Sequence, residues 1–183
     1  PYYSFFLQFA FTLATPYISK DDEEFYICDN TIRKDKVFKV PIVSGSTWKG
    51  NMRWTARQVK EIDPDKSDDK VLIRLFGNEK KEEHAFCRGR LSFYPTFFDK
   101  ISLEVINPHD RKTKAGTVPI YIESVPAGAS GTFSLLYVPF DLMGKSSEEV
   151  KQQVSEDINL VYNSLKEMML TYGFSAKKSC GFG

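Results

Sequence analysis

Tyr3, Phe5, Leu7, Phe9, Phe11 and Leu13 occupy every second position near the start of the chain. A period of two puts them on one face of a strand and the intervening residues on the other. Thr15-Pro16 ends that strand. A loop of mixed charge runs to Val40, and Pro41-Ile42-Val43 is short and extended. Ser44-Gly45-Ser46 then reads as a turn into a helix cap. From Thr47 to Ile62 the period becomes helical. Trp48, Met52, Thr55 and Val59 share one face, while Lys49, Arg53 and Arg57 line another. Asp63-Pro64-Asp65 stops this helix.

Residues 65–83 are polar apart from Val71 to Phe76. Arg90 to Tyr94 reads as a second strand and Ile101 to Val105 as a short third. Asn107 to Gly116 is a basic, turn-rich loop. Val118–Val125 and Thr132–Val138 read as a hairpin around Pro126 to Gly131. Ser146-Ser147-Glu148-Glu149 is a capping box. Val150, Val154, Ile158, Val161, Leu165, Met168 and Tyr172 follow at helical spacing, and Gly173 stops that helix. The order predicts an α+β fold: a ferredoxin-like (RRM-like) antiparallel sheet with helices on one face. That fold ends on a strand after its second long helix. This chain starts at Pro1 and stops at Gly183. It is expected to be one domain over 1–183, whether free, truncated or fused to more chain.

Composition narrows the class. A hydrophobic share of 42% and a charged share of 27% fit a globular chain rather than a disordered one. No apolar run approaches the roughly 18 residues of a membrane helix, so no membrane is expected. Residues 2–13 lack the basic flank and cleavage site of a signal peptide. Cys28, Cys87 and Cys180 are far apart and odd in number, which suits a reducing cytoplasm. The net charge is only +1, but acidic runs at 21–24, 63–69 and 79–83 offset basic clusters elsewhere. Local positive stripes matter more than the total for nucleic-acid binding.

Two segments carry candidate chemistry. Ser44 to Arg53 opens a helix with small hydroxyl residues and a glycine, so free N–H groups and the helix dipole favour an anion there. Lys49, Arg53 and Arg57 extend that field, and Ser46 adds a hydroxyl, as for a phosphodiester backbone. The glycine spacing excludes a Walker loop. The bland reading is an ordinary cap beside a solvated basic face. The second segment, Gly173 to Gly183, combines glycines with Lys177 and Lys178. Gly181 would let the main chain approach a phosphate closely. Its bland reading is a flexible connection.

Further motifs accompany these two in a fixed order. Pro41 to Arg53 resembles the "PGS-SLKG-hhR" signature of the RAMP superfamily, the repeat-associated proteins of CRISPR systems, with Ser44 replacing the proline. Leu75-Phe76-Gly77 resembles its "LFG" and Gly89 to Phe93 its "GRL-F" strand. Asp110-Arg111 with Thr113 resembles the "DR-T" of its thumb, and Glu123 to Gly128 with Phe133 its "E-VP-G---F" hairpin. The closing glycine-rich loop is similar too. Each match is weak, but together they span nearly the whole chain. The likeness is greatest to the repeating backbone subunit of type III effector complexes. Asn107-Pro108-His109 with Pro119-Ile120 is also similar to a backbone-capping subunit.

The resemblance implies guide RNA and target RNA as ligands. It implies other RAMP subunits and the large subunit of the effector as partners. It implies a thumb-like hairpin insertion at about 106–125, with Arg111, Lys112 and Lys114 as its RNA contacts. It also implies target-RNA cutting by an endonuclease centre at Asp29, whose surroundings match "D-PVI-D" except for Thr31. A free aspartate is a poor base at neutral pH, so Asp29 would hold a divalent metal such as Mg or orient the RNA 2′-hydroxyl. Three other readings stay open. One is a non-catalytic architectural or capping subunit. Another is a guide-processing endoribonuclease using His109, although such enzymes lack the "SGS-KG" helix. The third is zinc held by His84 and Cys87, which would need two more ligands.

Overall fold

The computed structural model describes residues 2–20, 30–78, 87–107, 118–178 and 181–182. The chain divides into two compact units. The first comprises residues 1–9, 44–95 and 133–173, and the second residues 10–43, 96–132 and 174–183. The strands are β1 (Phe5–Thr12), β2 (Ile42–Val43), β3 (Leu91–Phe93), β4 (Thr96–Phe97), β5 (Ser102–Ile106), β6 (Ile120–Ser124) and β7 (Ser130–Tyr137). The helices are α1 (Gly45–Val59), α2 (Lys70–Phe76) and α3 (Ser147–Glu167). One sheet has the order β1-β7-β3, and β2–β4 and β5–β6 form two-stranded sheets. The β2–β4, β3–β7 and β5–β6 ladders are antiparallel. No helix among the described residues is long and apolar enough to cross a membrane.

In the first unit, α1 packs against α2, α3 and β3. Its buried face is Trp48, Met52, Thr55 and Ala56. The Trp48 ring meets Phe133 edge-on with centroids 5.0 Å apart. Lys60 caps α1, and Glu61 turns the chain away at φ 53. The apolar island at 71–76 is a helix of its own, because the Asp69 carboxylate accepts from Leu72 N at 2.9 Å. The "LFG" and "GRL" segments lie against each other there. A Cβ on Gly89 would stand 2.6 Å from the Leu75 carbonyl oxygen, so no larger residue fits.

Helix α3 starts at the expected cap, with Ser146 accepting from Glu149 N at 3.3 Å. Its inner stripe differs from the predicted one. Ile158 is exposed, while Asp157 is fully buried among the apolar residues. Spacing alone assigns an aspartate to the wet face. Three donors from distant positions bring it inside: Arg90 Nη1 at 2.6 Å, Arg74 Nε at 2.7 Å and the Tyr137 hydroxyl at 2.8 Å. A buried carboxylate is stable only when so satisfied. Burial and the bond to Asp157 push the Tyr137 hydroxyl above its ordinary range. Beyond Glu167 the helix widens into a π-helical turn, Met168–Tyr172, which ends at Gly173.

The second unit is held by aromatic contacts among Phe11, Tyr17, Phe98 and Phe174. Its strands correct one expectation. Residues 118–125 do not form a hairpin with 132–138. Instead β6 pairs with β5 over five residue pairs, and β7 pairs with β3. The six residues from 126 to 131 are too many for a tight turn, and each strand finds a fuller ladder elsewhere. Val125 bridges Tyr17, which fixes the end of β6.

Candidate nucleic-acid interface

The first turn of α1 is built for exposure of its polar groups. Ser44 caps the helix at φ −68 and ψ 154, and its hydroxyl accepts from Thr47 N at 3.1 Å. That φ is the value a proline ring fixes, so serine in the family's proline position keeps the backbone and adds a cap. Gly45 follows because a Cβ there would lie 2.5 Å from the Phe93 carbonyl oxygen. Ser46 and Lys49 are exposed, and the first turn holds no acidic residue. Partial burial, and then the Arg53 charge one turn on, hold the Lys49 ammonium below its ordinary range. An anion arriving there would meet helix N–H groups, hydroxyls and an ammonium together.

Arg53 and Arg57 sit differently. Asp68, whose side chain is 4% exposed, accepts from Arg53 Nε at 2.6 Å and from Arg57 Nη1 at 2.5 Å. Arg57 Nη2 also donates to the carbonyls of Asp63, Lys66 and, more weakly, Pro64. Arg57 thus gathers the loop between α1 and α2 onto the helix. The helix period places all three cations on one stripe, and the structure bears that out. The acid that closes on two of them comes from a loop residue, which periodicity does not reveal.

In the second unit, the segment after Asp29 is tied to β6. Glu123 N donates to the Asn30 carbonyl at 2.9 Å. The Glu123 carboxylate accepts from Ile32 N at 3.2 Å and pairs with Lys34 at 2.8 Å. Glu123 appeared in the sequence only as part of a motif, and its anchoring role had no local signal. At the other end of this unit, Ser175 Oγ accepts from Ile18 N at 2.8 Å and Ala176 N donates to the Ile18 carbonyl at 3.0 Å. Lys177 and Lys178 follow, both exposed, with Lys177 left-handed at φ 56. Burial lowers the Lys178 ammonium from its ordinary value. Gly181 turns at φ 87 and donates to the Lys178 carbonyl at 3.2 Å.

Asp29, His84, His109, Arg111, Lys112 and Lys114 lie outside the described residues. So do residues 108–117 of the expected thumb at about 106–125; its described part includes β6 and the last residue of β5. Among the described residues no three His, Cys, Asp or Glu side chains come together as a metal site.

The family profile described as RAMP superfamily matches residues 11–183. A curated relative from Streptococcus thermophilus, "CRISPR system Cms endoribonuclease Csm3", is 30% identical over 162 residues, covering 85% of this chain and 72% of that protein. The protein of the same name from Enterococcus italicus is 32% identical over 125 residues, or 60% of this chain and 58% of that protein. Two solved structures share the fold. A chain of the "Type III-B Cmr-beta bound to cognate target RNA" aligns with a TM-score of 0.64 at 17% identity, covering 98% of this chain and 57% of that one. A chain of a "Type IV-B CRISPR Complex" aligns with a TM-score of 0.61 at 14% identity, covering 98% and 87%. Ordered motifs, a mixed fold of antiparallel ladders and helices, and a profile match over residues 11–183 agree: this chain belongs to the RAMP superfamily.

Proposed function

We propose that this chain is a guide-RNA-binding backbone subunit of a type III CRISPR effector complex, and that it cuts target RNA paired to the guide. The observation that carries the reading is the 30% identity to an endoribonuclease Csm3 over 85% of this chain. Its physical counterpart is the first turn of α1, where Ser46 and Lys49 face solvent beside free helix N–H groups. Lys177, Lys178 and Gly181 are the supporting guide contacts. The element order β1, α1, β3, β7, α3 and the β1-β7-β3 sheet support a ferredoxin-like frame. In this reading the thumb lies between β5 and β6 in the sequence, and Arg111, Lys112 and Lys114 are its RNA contacts. Other RAMP subunits and the large subunit are the partners, in the cytoplasm.

Cutting is assigned to Asp29, one residue before the anchor that Glu123 makes with Asn30. A loop held at that point can present a carboxylate to the 2′-hydroxyl of a kinked target. Attack of that hydroxyl on the adjacent phosphorus, with its proton passing to solvent, would form a 2′,3′-cyclic phosphate and release the 5′-oxygen to take a proton from water; DNA lacks the hydroxyl and would not be cut. A divalent ion such as Mg would stabilise charge on the phosphoryl oxygens. The described residues do not assemble a site for it. The test is target cleavage by the assembled complex. Asp29→Ala should abolish cutting and leave guide binding intact. Undiminished cutting would refute the assignment, and a wild-type complex that binds without cutting would mark an architectural subunit.

A further inference from the structure

The ribbon from Arg33 to Ile42 displays two large apolar side chains that its own fold does not cover. Val37 is 80% exposed and Phe38 72%. They stand at the tip of a closed turn. Asp35 N donates to the Val40 carbonyl at 2.9 Å, and Lys39 N returns to the Asp35 carbonyl at 3.0 Å. The Asp35 carboxylate accepts from Val37 N at 2.9 Å and from Phe38 N at 2.8 Å. Below the tip, Lys34 bridges Pro41 and Ile42 N donates to the Arg33 carbonyl. Lys39 holds a left-handed φ of 55, a conformation that disfavours a long side chain. These bonds hold the main chain at Phe38. Turns of this kind are ordinarily filled with small polar residues.

The surroundings narrow what meets the turn. Phe97, fixed on β4 opposite Ile42, meets Phe38 edge-on at 6.5 Å and is itself 44% exposed. Lys36 and Lys39 flank Val37 and Phe38 in the turn, Arg33 precedes it and Lys100 follows Phe97 by three residues, and all four are exposed; among the described residues of these two stretches the exposed acid is Asp99. The Asp35 carboxylate is turned inward on the backbone. A cationic rim about an aromatic pair matches a polyanion that also carries flat apolar faces. Three apolar side chains are far less than the roughly 800 Å² per partner of a stable protein–protein contact. They suit one or two bases.

We infer that the 35–39 turn is a single-stranded RNA contact, in which Phe38 stacks on an unpaired base and Lys36, Lys39 and Lys100 neutralise the flanking phosphates. The inference rests on the RNA-binding reading above and adds a second contact to it. Phe97 keeps its edge-on contact with the ring. The identity of the stacked base matters little, because every base has a π-face.

The test is anisotropy titration of the full chain with a labelled adenosine oligoribonucleotide, and with the same oligonucleotide carrying abasic riboses at its central positions. Phe38→Ala should weaken binding to the first about tenfold, the range of one lost base stack. It should leave the salt slope unchanged, since no cation is removed, and Phe38→Trp should restore affinity. Wild-type binding to the abasic oligonucleotide should fall to the Phe38→Ala level. Lys36→Gln with Lys39→Gln should instead lower the salt slope by about 1.4, or about 0.7 per cation on single strands. If wild type binds RNA and Phe38→Ala binds as tightly, the inference fails and the RNA-binding reading stands. If Phe38→Ala abolishes self-association in sedimentation with RNA affinity intact, the turn is a protein contact and the inference fails. If wild type binds neither oligonucleotide, both readings fail.

Discussion

The two halves of α1 carry the same kind of residue in opposite states. In the first turn Ser46 and Lys49 are exposed and no acid accompanies them. One and two turns later Arg53 and Arg57 share Asp68, which is almost fully buried. In the sequence the three cations are equivalent, spaced four apart on one stripe. In the fold the stripe is split: its N-terminal end is open, and its C-terminal end is a latch for the loop to α2. A row of cations at helical spacing is therefore not a uniform binding surface. What closes on it from elsewhere in the chain decides how much charge it presents.

The widest split between the halves should appear in stability. Asp68→Ala leaves two guanidinium groups facing a site built for a carboxylate, and should destabilise the fold by about 2–4 kcal/mol in urea unfolding. Lys49→Ala should change it by less than about 0.5 kcal/mol, the range of a surface substitution. Comparable losses from both would erase the distinction between latch and open turn.

RNA binding should reverse the ranking. Lys49→Ala should lower the slope of log affinity against log salt by about 0.7, as for one lost phosphate contact on a single strand. Arg57→Gln should leave that slope nearly unchanged, because Arg57 spends its donors on Asp68 and three loop carbonyls. Lys49→Glu with Arg53→Glu should weaken guide binding, with most of the loss reproduced by Lys49→Glu alone. A slope change that tracks Arg57 instead would put the phosphate at the closed end.

The cap beneath the open turn comes next in size. Ser44→Ala removes the hydroxyl that accepts from Thr47 N, and should cost about 1 kcal/mol. It should also weaken RNA binding modestly, since the frayed turn no longer aims its N–H groups. A loss of stability with unchanged affinity would separate the cap from the binding surface.

What the sequence could and could not reveal follows the range of each interaction. β1, α1, β3, β5 and α3 were legible, because strand and helix periods are local. The caps at Ser44 and Ser146 were legible because a cap needs only three residues. The partner of β6 was not: strand pairing joins residues distant in sequence, and turn length alone could not choose between β5 and β7. Asp157 was invisible for the same reason. An aspartate among valines reads as surface until Arg74, Arg90 and Tyr137 are known to converge on it. Asp68 repeats the lesson at the candidate interface. The residues nearest the proposed chemistry were found through ordered motifs rather than physics, and Asp29 is one of them.

The smallest effect sharpens the closed end further. Asp69 caps α2 and pairs with Lys60 at the end of α1. Desolvation pushes its carboxyl up, but the Lys60 ammonium and the Leu72 and Val71 amides outweigh this and hold it below the ordinary carboxylate range. A depressed folded value means that the charged form favours folding. Its contribution is complete above the ordinary aspartate range and fades as pH falls through the folded value. Urea unfolding of wild type should therefore lose stability over that acid window, and Asp69→Asn should flatten part of the loss while leaving the slope near neutral pH unchanged. An acid limb identical in wild type and Asp69→Asn would mean that the loop is held by Asp68 and Arg57 alone.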